Sequence, residues 1–447
     1  MKKILILGSG LVSRPGVRYL LNQKNIFITV ASNELNKAKE LINGKPNSKV
    51  IEIDVENIND LAKVIKESDI VVSLLPWTYH IKVAEQCLEF GKHLVTASYC
   101  SETMQKLDEQ AKRKNLLFLN ELGLDPGIDH MSAMKMIDKI YSEGGKILHF
   151  YSYCGGLPAP ENNDNPFGYK FSWSPRGVVL ASLNPAKFEE NGKLVEINSK
   201  DLFLNCEIDE VEEIGKLEVY PNRDSTQYKK LYGLQDAQTV KRGTYRYPGW
   251  CEIFKKIIDL GLLDQTPIKD LEETTYRRIM TDLIKCNPDD NIFLKTAEKI
   301  NLPINSALLA GKNPVIQKLI WLGLFNDEKI PPADNYFDVL CNLLQKKLVY
   351  NEGEKDMVIL KHKFIVENKD KSKDIITSTL IDYGIPYGDT AMSRTVSLPI
   401  AIGTKLIAEG KIKSRGVVIP TIKEIYEPVL NELESLNIRL KEKREKI

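Results

Sequence analysis

Six short runs of continuous apolar residues, separated by segments with helical character, constrain the fold of this chain most strongly. The runs are KILILG (3–8), IFITVAS (26–32), KVIEIDV (49–55), DIVVSLLP (69–76), KHLVTAS (92–98) and LLFLNELGL (116–124). Continuous rather than alternating apolar residues are typical of strands buried on both faces. Segments 78–91 and 101–115 have helical character, and Ser101-Glu102 is a favourable helix start. This alternation predicts right-handed βαβ crossovers and a parallel sheet.

The first predicted strand runs directly into Gly8-Ser9-Gly10-Leu11-Val12-Ser13. Two of the three glycines of a dinucleotide-binding fingerprint are present. Gly8 permits the tight turn, and Gly10 allows close approach of a pyrophosphate at the helix N-terminus. Ser13 replaces the third glycine, which predicts slightly looser packing of the helix on the strand. Because this short motif closes the first strand of a six-strand pattern, we predict a Rossmann-type domain.

The second predicted strand ends at Ala31-Ser32-Asn33, where the choice between NAD and NADP is usually made. An acidic residue here would accept hydrogen bonds from the adenosine ribose and favour NAD. Asn33 is neutral and does not repel a 2′-phosphate, but no arginine stands in the turn and Glu34 is adjacent. The segment favours NADP and leaves NAD open.

Polar residues follow three of the predicted strands. Pro76-Trp77 follows the fourth strand, Ser98-Tyr99 the fifth and Asp125-Pro126-Gly127 the sixth. Each could by itself be a capped turn. Ligands in open parallel sheets bind outside the carboxyl ends of the strands, so the shared placement predicts one crevice beside the nicotinamide.

The middle of the chain is rich in glycine, proline and aromatic residues. HFYSYCGGLPAPENNDNPFGYKFSWSPRG (149–177) favours an ordered functional loop, with a packed aromatic surface as the alternative. PNRDST (221–226) and RGTYRYPGW (242–250) are predicted binding loops that offer Arg223, Arg242 and Arg246. Solvated surface arginines are the alternative. Arginine presents a planar fork that matches a carboxylate, so these segments predict a substrate with several carboxylates.

Composition excludes several classes of function. The 62 basic and 61 acidic residues nearly cancel, which removes the electrostatic footprint of a nucleic-acid binder. No apolar run reaches the roughly 18 residues of a membrane span, and the N-terminal apolar run is too short for a signal peptide. The seven cysteines are scattered without CxxC spacing and the five histidines lack paired ligand spacing. We therefore predict a cytoplasmic protein with free thiols and no metal site.

Seven segments carry a resemblance to a known family. GSGLVSRP, VSLLPWTYH, TASY, LNELGLDPGIDHM, YCGGLPAPENNDNPFGYKFSWSPRG, YPNRDS and RGTYRYPGW, in this order, strongly resemble the saccharopine reductases, which are the glutamate-forming saccharopine dehydrogenases of lysine metabolism. The resemblance runs from residue 3 to about 430. It implies an NADP(H)-dependent oxidoreductase acting on a CH–NH group, which interconverts saccharopine and water with L-glutamate and L-2-aminoadipate 6-semialdehyde. It also implies a homodimer, and the NADP-using members serve lysine biosynthesis.

The resemblance also implies a division into domains. It predicts a Rossmann domain over 1–126, completed by about 392–447, and a mixed α/β substrate and dimerisation domain over 127–254 and 346–391. Runs with helical spacing predict a small helical domain over 255–345. MVILKHKFIVE (357–367) has strand character, and the tail segments SLPIAIGTKLIAEG and TIKEIYEPVLNELESL have helical character.

Family site residues are carried onto this sequence by matching motifs. The resemblance implies cofactor contacts at Ser9, Gly10, Leu11, Val12, Ala31, Ser32, Asn33, Asp54, Val55, Leu75, Leu124, Asp125, Pro126, Gly127 and Ser174. It implies substrate contacts at Ser98, Tyr99, Asp125, Arg223, Thr244, Tyr245 and Arg246. Asn33 departs from the family, whose NADP-using members tend to carry an arginine near here and whose NAD-using members tend to carry an aspartate.

The implied reaction also requires groups that bind and transfer protons. Asp125 is the first candidate, since a carboxylate at the strand end could bind the substrate ammonium and orient the nitrogen. Tyr99 could relay a proton, and Cys154 of the YCGG segment is a third candidate, with a packing thiol as the alternative. Three other functions stay open: an NAD-dependent degradative form, a carboxynorspermidine dehydrogenase, and a catalytically silent nucleotide sensor, against which the retained YCGGLPAPE and PNRDS blocks argue.

Overall fold

A computed structural model describes residues 1–268, 271 and 273–447. The chain divides into two compact units. Unit 1 comprises Met1–Cys154, Tyr228–Ala237 and Lys355–Ile447, and unit 2 comprises Gly155–Gln227 and Gln238–Glu354. Within the described residues, no helix is both long enough and apolar enough to cross a membrane.

The strands of the described residues, in chain order, are β1 (Lys2–Leu7), β2 (Ile26–Ser32), β3 (Ser48–Glu52), β4 (Ile70–Ser73), β5 (His93–Thr96), β6 (Leu117–Leu119), β7 (Lys146–Pro158), β8 (Ala186–Glu190), β9 (Lys193–Ile197), β10 (Glu207–Val211), β11 (Gly215–Pro221), β12 (Thr239–Arg246), β13 (Asp356–Glu367), β14 (Lys373–Tyr383), β15 (Gly416–Val418) and β16 (Leu440–Lys446).

The α-helices of the described residues are α1 (Arg14–Leu21), α2 (Leu35–Ile42), α3 (Ile58–Lys66), α4 (His80–Phe90), α5 (Glu102–Gln105), α6 (Asp108–Arg113), α7 (Ile128–Ser142), α8 (Pro175–Ala181), α9 (Gln227–Leu231), α10 (Trp250–Leu260), α11 (Tyr276–Ile284), α12 (Ile292–Lys299), α13 (Ser306–Leu309), α14 (Pro314–Leu322), α15 (Tyr336–Lys347), α16 (Ala391–Ala408) and α17 (Lys423–Ser435). Short 3₁₀ helices occupy Trp77–Tyr79, Pro160–Asn162 and Ser199–Asn205.

Unit 1 contains the predicted Rossmann-type sheet. Its strand order is β15-β6-β5-β4-β1-β2-β3, and every neighbouring pair is parallel. The order reverses between β1 and β4, which is the position where such sheets bind ligands. The six predicted strands and their parallel arrangement are confirmed. The fourth, fifth and sixth strands, which polar residues follow, are shorter than the apolar runs that predicted them.

The seventh strand of this sheet comes from the C-terminal part of the chain. Residues 416–418 pair in parallel with β6, from Gly416 opposite Leu117 to Val418 opposite Leu119. Its three residues are too few to show a periodic pattern, so the sequence did not predict it. Helix α16 packs against α1 in the same unit, and the amide of Gly16 donates to Ser397 Oγ (3.0 Å).

Unit 1 also contains antiparallel strands. β13 pairs with β14 from Met357 opposite Tyr383 to Glu367 opposite Lys373, and β14 pairs with β16. The strand predicted at 357–367 is therefore confirmed, as are helices in both tail segments, whereas β16 was not predicted because its residues are almost all charged.

Unit 2 combines a small antiparallel sheet with helices. β10, β11 and β12 pair in that order, β12 also pairs with β8, and β8 pairs with β9. Helices α10 to α15 follow, which confirms the predicted helical insertion. The mixed α/β class of the second half is confirmed as well.

Two segments predicted as loops are strands. HFYSYCGGLP belongs to β7, and RGTYR lies in β12. Glycine was taken as a loop signal, but a Cβ on Gly155 would lie 2.7 Å from Cβ of Tyr245. The glycine therefore serves close packing within unit 2 and does not mark a loop.

Candidate active site

The glycine turn after β1 has an open outer face. Gly8 has φ +103°, and a Cβ there would lie 3.2 Å from the carbonyl oxygen of Leu74. A Cβ on Gly10 would meet no atom within 4 Å, and both Gly10 and Leu11 are exposed. The Ser13 hydroxyl donates to the Gly10 carbonyl (2.7 Å) and does not cap α1. This arrangement fits a dinucleotide pyrophosphate at the start of α1.

A tight contact between two helices lies about one turn after Ser13. Ser13 is buried, and a Cβ on Gly16 would lie 2.7 Å from the carbonyl oxygen of Ser397 in α16. Gly16 therefore allows α1 and α16 to approach closely, and the looser helix–strand packing at Ser13 stays a prediction.

The residues predicted to contact the ribose lie at the end of β2, where two are buried and one is exposed. Ser32 Oγ and Ser9 Oγ are hydrogen-bonded (2.8 Å), and Ser32 Oγ also accepts the amide of Glu34 (3.0 Å). Ala31 is buried with Ser32, while Asn33 is exposed. The Ser32 hydroxyl therefore shapes the turn, and Asn33 is the residue of this group that is free to face a ligand.

The remaining predicted cofactor residues of unit 1 follow other strands of the sheet. Asp54 is exposed after β3 and accepts the amide of Glu56 (2.9 Å), and Val55 is half-buried. Leu75 is half-buried after β4, and Trp77 begins the 3₁₀ helix with 72% of its surface exposed. These residues lie at the same edge of the parallel sheet as the glycine turn.

A tight turn carries Asp125 beyond β6. Gly123 N donates to the Pro126 carbonyl (2.9 Å), and Gly127 has φ +146°. A Cβ on Gly127 would lie 2.1 Å from the Gly123 carbonyl oxygen, so no other residue fits there. Leu124 and Pro126 are buried and Asp125 is half-buried. The apolar run therefore ends in a rigid turn that exposes one carboxylate.

Asp125 and Tyr99 form a pair. The Tyr99 hydroxyl donates to Asp125 Oδ1 (2.9 Å). Tyr99 follows β5 and Asp125 follows β6, so neighbouring parallel strands bring together two residues that the sequence placed at strand ends. The pair combines an acid that can hold a proton with a carboxylate that can accept one.

His80 links three hydroxyls, one of which belongs to Ser98, the residue before Tyr99. Its Nδ1 is hydrogen-bonded to Ser73 Oγ (2.9 Å), and its Nε2 to Ser98 Oγ (2.7 Å) and Thr96 Oγ1 (3.1 Å). Burial lowers the pKa of His80 to about 4. The neutral imidazole holds Ser98, a predicted substrate residue, beside Tyr99.

Glu121 and His130 support the same turns. Glu121 Oε1 accepts the amide of Cys100 (2.8 Å), and Glu121 Oε2 is hydrogen-bonded to His130 Nε2 (2.6 Å). His130 Nδ1 is hydrogen-bonded to the hydroxyl of Tyr232 (2.6 Å). These contacts fix the loop after β5 to the start of α7. Cys154, the third predicted catalytic residue, lies buried in β7.

Unit 2 contains a buried cationic pocket around Arg246. Its guanidinium carbon lies 4.9 Å from the ring centre of Tyr169, 5.1 Å from that of Trp250 and 5.6 Å from that of Tyr220. Nη1 donates to the Tyr245 carbonyl (2.7 Å). Among the described residues, Nε of Arg246 and Nε1 of Trp250 have no hydrogen-bond partner. Buried donors of this kind normally meet an acceptor, and a carboxylate is an acceptor that suits both.

The electrostatics of this pocket follow from burial. Burial raises the pKa of Tyr169 and of Tyr220, and the charge of Arg246 opposes both shifts. Both phenols therefore stay neutral, and Arg246 is the charged member of the pocket.

The other predicted residues of unit 2 occupy different environments. Arg223 is exposed with φ +51°, and Thr244 is half-buried. Tyr245 is fully buried and its hydroxyl donates to Asp209 Oδ2 (2.5 Å), so its side chain packs. Ser174 caps α8 by accepting the amide of Gly177 (3.2 Å) and is exposed.

Two protein-family models match this chain, one after the other along the sequence. Residues 4–119 match the family model of the saccharopine dehydrogenase NADP binding domain, and residues 123–438 match that of the saccharopine dehydrogenase C-terminal domain. The chain belongs to the saccharopine dehydrogenase family. The resemblance drawn from the sequence is confirmed.

Individual members of the saccharopine dehydrogenase family agree along the whole chain. The chain is 42% identical to saccharopine dehydrogenase [NADP(+), L-glutamate-forming] of Schizosaccharomyces pombe, over 99% of both chains. It is similar to the structure of apo saccharopine dehydrogenase (L-Glu forming) from Saccharomyces cerevisiae, with TM-score 0.89, 38% identity and full coverage of both chains. It is also 36% identical to the mitochondrial alpha-aminoadipic semialdehyde synthase of rat, of which it covers 47%.

Sequence reasoning missed several residues that shape these sites. His80, Glu121 and His130 lie within segments that carry the family resemblance, yet their contacts to Ser98, Cys100 and Tyr232 depend on the fold. Trp250 also lies in one of these segments, RGTYRYPGW. Its closeness to Arg246 in the sequence was the signal that could have identified it.

Proposed function

We propose that this chain is an NADP-dependent, L-glutamate-forming saccharopine dehydrogenase. It interconverts saccharopine and water with L-glutamate and L-2-aminoadipate 6-semialdehyde in lysine metabolism. The observation that carries the proposal is the Tyr99–Asp125 pair, which lies beyond β5 and β6 in a chain that aligns end to end with saccharopine dehydrogenases.

Unit 1 is the proposed cofactor-binding unit. Its proposed contacts are Ser9, Gly10, Leu11, Val12, Ala31, Ser32, Asn33, Asp54, Val55, Leu75, Leu124, Asp125, Pro126 and Gly127. The open face of Gly10 supports the contacts of the glycine turn. When bound, NADP+ would supply the hydride acceptor for the CH₂ carbon that is bonded to the nitrogen and becomes the aldehyde carbon of the product. Ser174 of unit 2 is a separate proposed contact, to be tested by substitution.

Asp125, Tyr99 and Ser98 are the proposed groups around the reacting nitrogen. The carboxylate of Asp125 binds the substrate ammonium and orients its nitrogen, and the hydroxyl of Tyr99 holds the proton that is exchanged with it. His80 keeps Ser98 in place. Cys154 remains a proposed third participant, although its burial in β7 equally suits packing.

Arginine supplies the proposed recognition of substrate carboxylates. The unpaired Nε of Arg246 and Nε1 of Trp250 support a carboxylate subsite, since both are buried donors. Arg223, Thr244 and the backbone of Tyr245 are further proposed contacts. Carboxynorspermidine would need fewer anion-binding groups, so this pocket favours saccharopine.

An NAD-dependent degradative form is the second candidate. Asn33 and Glu34 are exposed at the end of β2, and no arginine stands in that turn. This environment suits ribose hydroxyls as well as a 2′-phosphate.

Product analysis tests the reaction itself. The chain is incubated with NADP+ and either saccharopine or carboxynorspermidine, and products are identified by mass spectrometry. We expect glutamate and aminoadipate semialdehyde from saccharopine and no turnover of carboxynorspermidine. The reverse preference would refute the substrate, and dinucleotide binding without any turnover would indicate a silent sensor.

We further propose a cytoplasmic homodimer with the three-domain division given above: 1–126 with about 392–447, 127–254 with 346–391, and 255–345. All seven cysteines have free thiols, which supports a reducing compartment. The family resemblance supports the dimer and the lysine-biosynthetic role. Light scattering after size-exclusion chromatography tests the dimer, and a monomer mass at micromolar concentration would refute it.

A further inference from the structure

Two cysteines and one carboxylate form a cluster in unit 2. The sulfurs of Cys206 and Cys251 and a carboxylate oxygen of Glu218 all lie within 4.8 Å of one another. Cys206 precedes β10, Glu218 lies in β11, and Cys251 is the second residue of α10. None of the three belongs to the proposed substrate or cofactor contacts.

Glu218 is committed to the start of α10. Its Oε1 accepts the amide of Gly249 (2.7 Å) and its Oε2 accepts the amide of Cys251 (2.9 Å). The carboxylate thus satisfies amides that a helix start leaves unpaired. The reactive groups of the cluster are therefore the two thiols.

The two thiols differ in exposure and in acidity. Cys206 is partly exposed, whereas Cys251 is buried with 2% of its surface accessible. A hydrogen bond from the Cys251 thiol lowers the pKa of Cys206, and this outweighs burial and the nearby Glu218 carboxylate, which raise it. The same hydrogen bond raises the pKa of Cys251, with burial adding to the shift. The accessible sulfur is therefore the one that ionises first.

We propose that Cys206 and Cys251 are a peroxide-reactive dithiol that closes into a reversible disulfide. The Cys206 thiolate attacks hydrogen peroxide, the O–O bond breaks, and a sulfenic acid and hydroxide form. The Cys251 sulfur then attacks Cys206, the S–O bond breaks, and water leaves with the Cys251 proton. In sum, two thiols and one peroxide give one disulfide and two waters. A partly exposed thiol with a lowered pKa beside a resolving cysteine is the arrangement of a redox sensor.

Formation of the Cys206–Cys251 disulfide would change the position of residues around Arg246. The sulfurs must approach to about 2.05 Å, which moves the start of α10. Trp250 precedes Cys251, and its ring lies 5.1 Å from the guanidinium of Arg246. We therefore expect oxidation to weaken carboxylate binding there; this consequence rests on the proposed function, whereas disulfide formation does not.

Thiol chemistry on the full chain tests the dithiol. The reduced protein is treated with hydrogen peroxide, alkylated and digested, and its peptides are identified by mass spectrometry. We expect one Cys206–Cys251 disulfide that dithiothreitol reverses, and alkylation of Cys206 about tenfold faster than that of Cys286, a partly exposed thiol with a raised pKa. In Cys251→Ser, a sulfenic acid probe should label Cys206, whereas Cys286→Ser should behave as the wild type.

Three results would overturn the dithiol. The first is equal reactivity of Cys206 and Cys286. The second is oxidation of Cys206 to sulfinic acid without a disulfide. The third is stoichiometric zinc in the purified chain that is lost in both Cys206→Ser and Cys251→Ser, which would make the cluster a metal site.

Steady-state kinetics test the coupling to Arg246. Peroxide should raise KM for saccharopine several-fold in the wild type, change kcat less, and leave Cys206→Ser unaffected. A disulfide that forms without any change in KM would refute the coupling. If saccharopine is not turned over by the reduced chain, the proposed function fails, while the disulfide result stands on the mass spectrum alone.

Discussion

At the residue scale, the chemistry depends on one carboxylate and the hydroxyl that contacts it. Replacing Asp125 with Asn keeps the shape of the side chain and its bond from Tyr99 but removes the charge that binds the substrate ammonium. We expect kcat/KM for saccharopine to fall by about 100-fold or more, and Tyr99→Phe to lower it by about tenfold. Initial rates of cofactor reduction measure both effects.

Asp125→Ala provides the decisive comparison. An unchanged kcat/KM in this variant would contradict the role of Asp125 altogether. Circular dichroism and melting temperature of each variant show whether a loss of rate reflects chemistry or misfolding.

His80 makes stability depend on pH. Because burial lowers its pKa from near 6.5 to about 4, the folded chain keeps the ring neutral where the unfolded chain protonates it. Its contribution to stability is complete above pH about 6.5 and is lost as the pH falls toward about 4. Between pH about 7.5 and 5, this group should lower the free energy of unfolding by about 2 kcal/mol.

Urea unfolding at the two pH values measures this effect. His80→Asn should be less stable at neutral pH and should lose less stability on acidification than the wild type. His149→Asn, at a partly exposed histidine, serves as the control and should keep most of the pH dependence. An unaltered pH dependence in His80→Asn would assign the acid sensitivity to other groups.

Single residues were predictable where position alone decides their role. Asp125 and Tyr99 could be predicted because strand ends of a parallel sheet share one edge. The role of His80 could not, since it depends on three hydroxyls spread over 25 residues of sequence, from Ser73 to Ser98. Arg246 was identified as an anion-binding residue, but its burial under aromatic rings depends on residues remote in sequence.

At the scale of elements, two glycines near α1 have different roles: Gly16 allows helix packing, and Gly10 leaves room for a ligand. A Cβ on Gly16 would lie 2.7 Å from a backbone atom of α16, whereas a Cβ on Gly10 meets nothing within 4 Å. We expect Gly16→Ala to destabilise the chain by about 1–3 kcal/mol through overpacking. Gly10→Ala should change stability by less than about 0.5 kcal/mol and weaken NADP+ binding.

Chemical unfolding and NADP+ titration, applied to both variants, test this division. A Gly16→Ala variant of wild-type stability would show that α1 and α16 separate easily. A Gly10→Ala variant with wild-type affinity would contradict the proposed place of the pyrophosphate.

Elements were predictable where the pattern is long and periodic. The six apolar runs predicted β1 to β6, and the tail segments predicted α16 and α17. Two kinds of element escaped: β15 is only three residues long, and β16 consists almost entirely of charged residues. Both are strands because a neighbouring strand offers hydrogen bonds, which is a tertiary effect. Parts of β7 and β12 were mistaken for loops because their glycines were taken as loop signals.

At the scale of the whole molecule, unit 1 is assembled from three separate stretches of chain. Any ligand of its sheet should therefore stabilise residues distant in sequence. At 100 times its dissociation constant, NADP+ should add about 2.7 kcal/mol to the free energy of unfolding. Thermal melts with NADP+ and NAD+ at equal concentration measure the preference, and equal shifts would contradict NADP selectivity.

Oxidation of saccharopine with NADP+ is the activity on which the proposed function of this chain depends. The most direct test is the initial rate of absorbance increase at about 340 nm, where reduced cofactor absorbs, with saccharopine and either NADP+ or NAD+ in parallel. We predict reduction with a clear preference for NADP+ in kcat/KM. A preference for NAD+ would contradict the cofactor assignment and make Asn33 a ribose-binding residue. No reduction with either cofactor, in a folded and nucleotide-binding sample, would contradict the function itself.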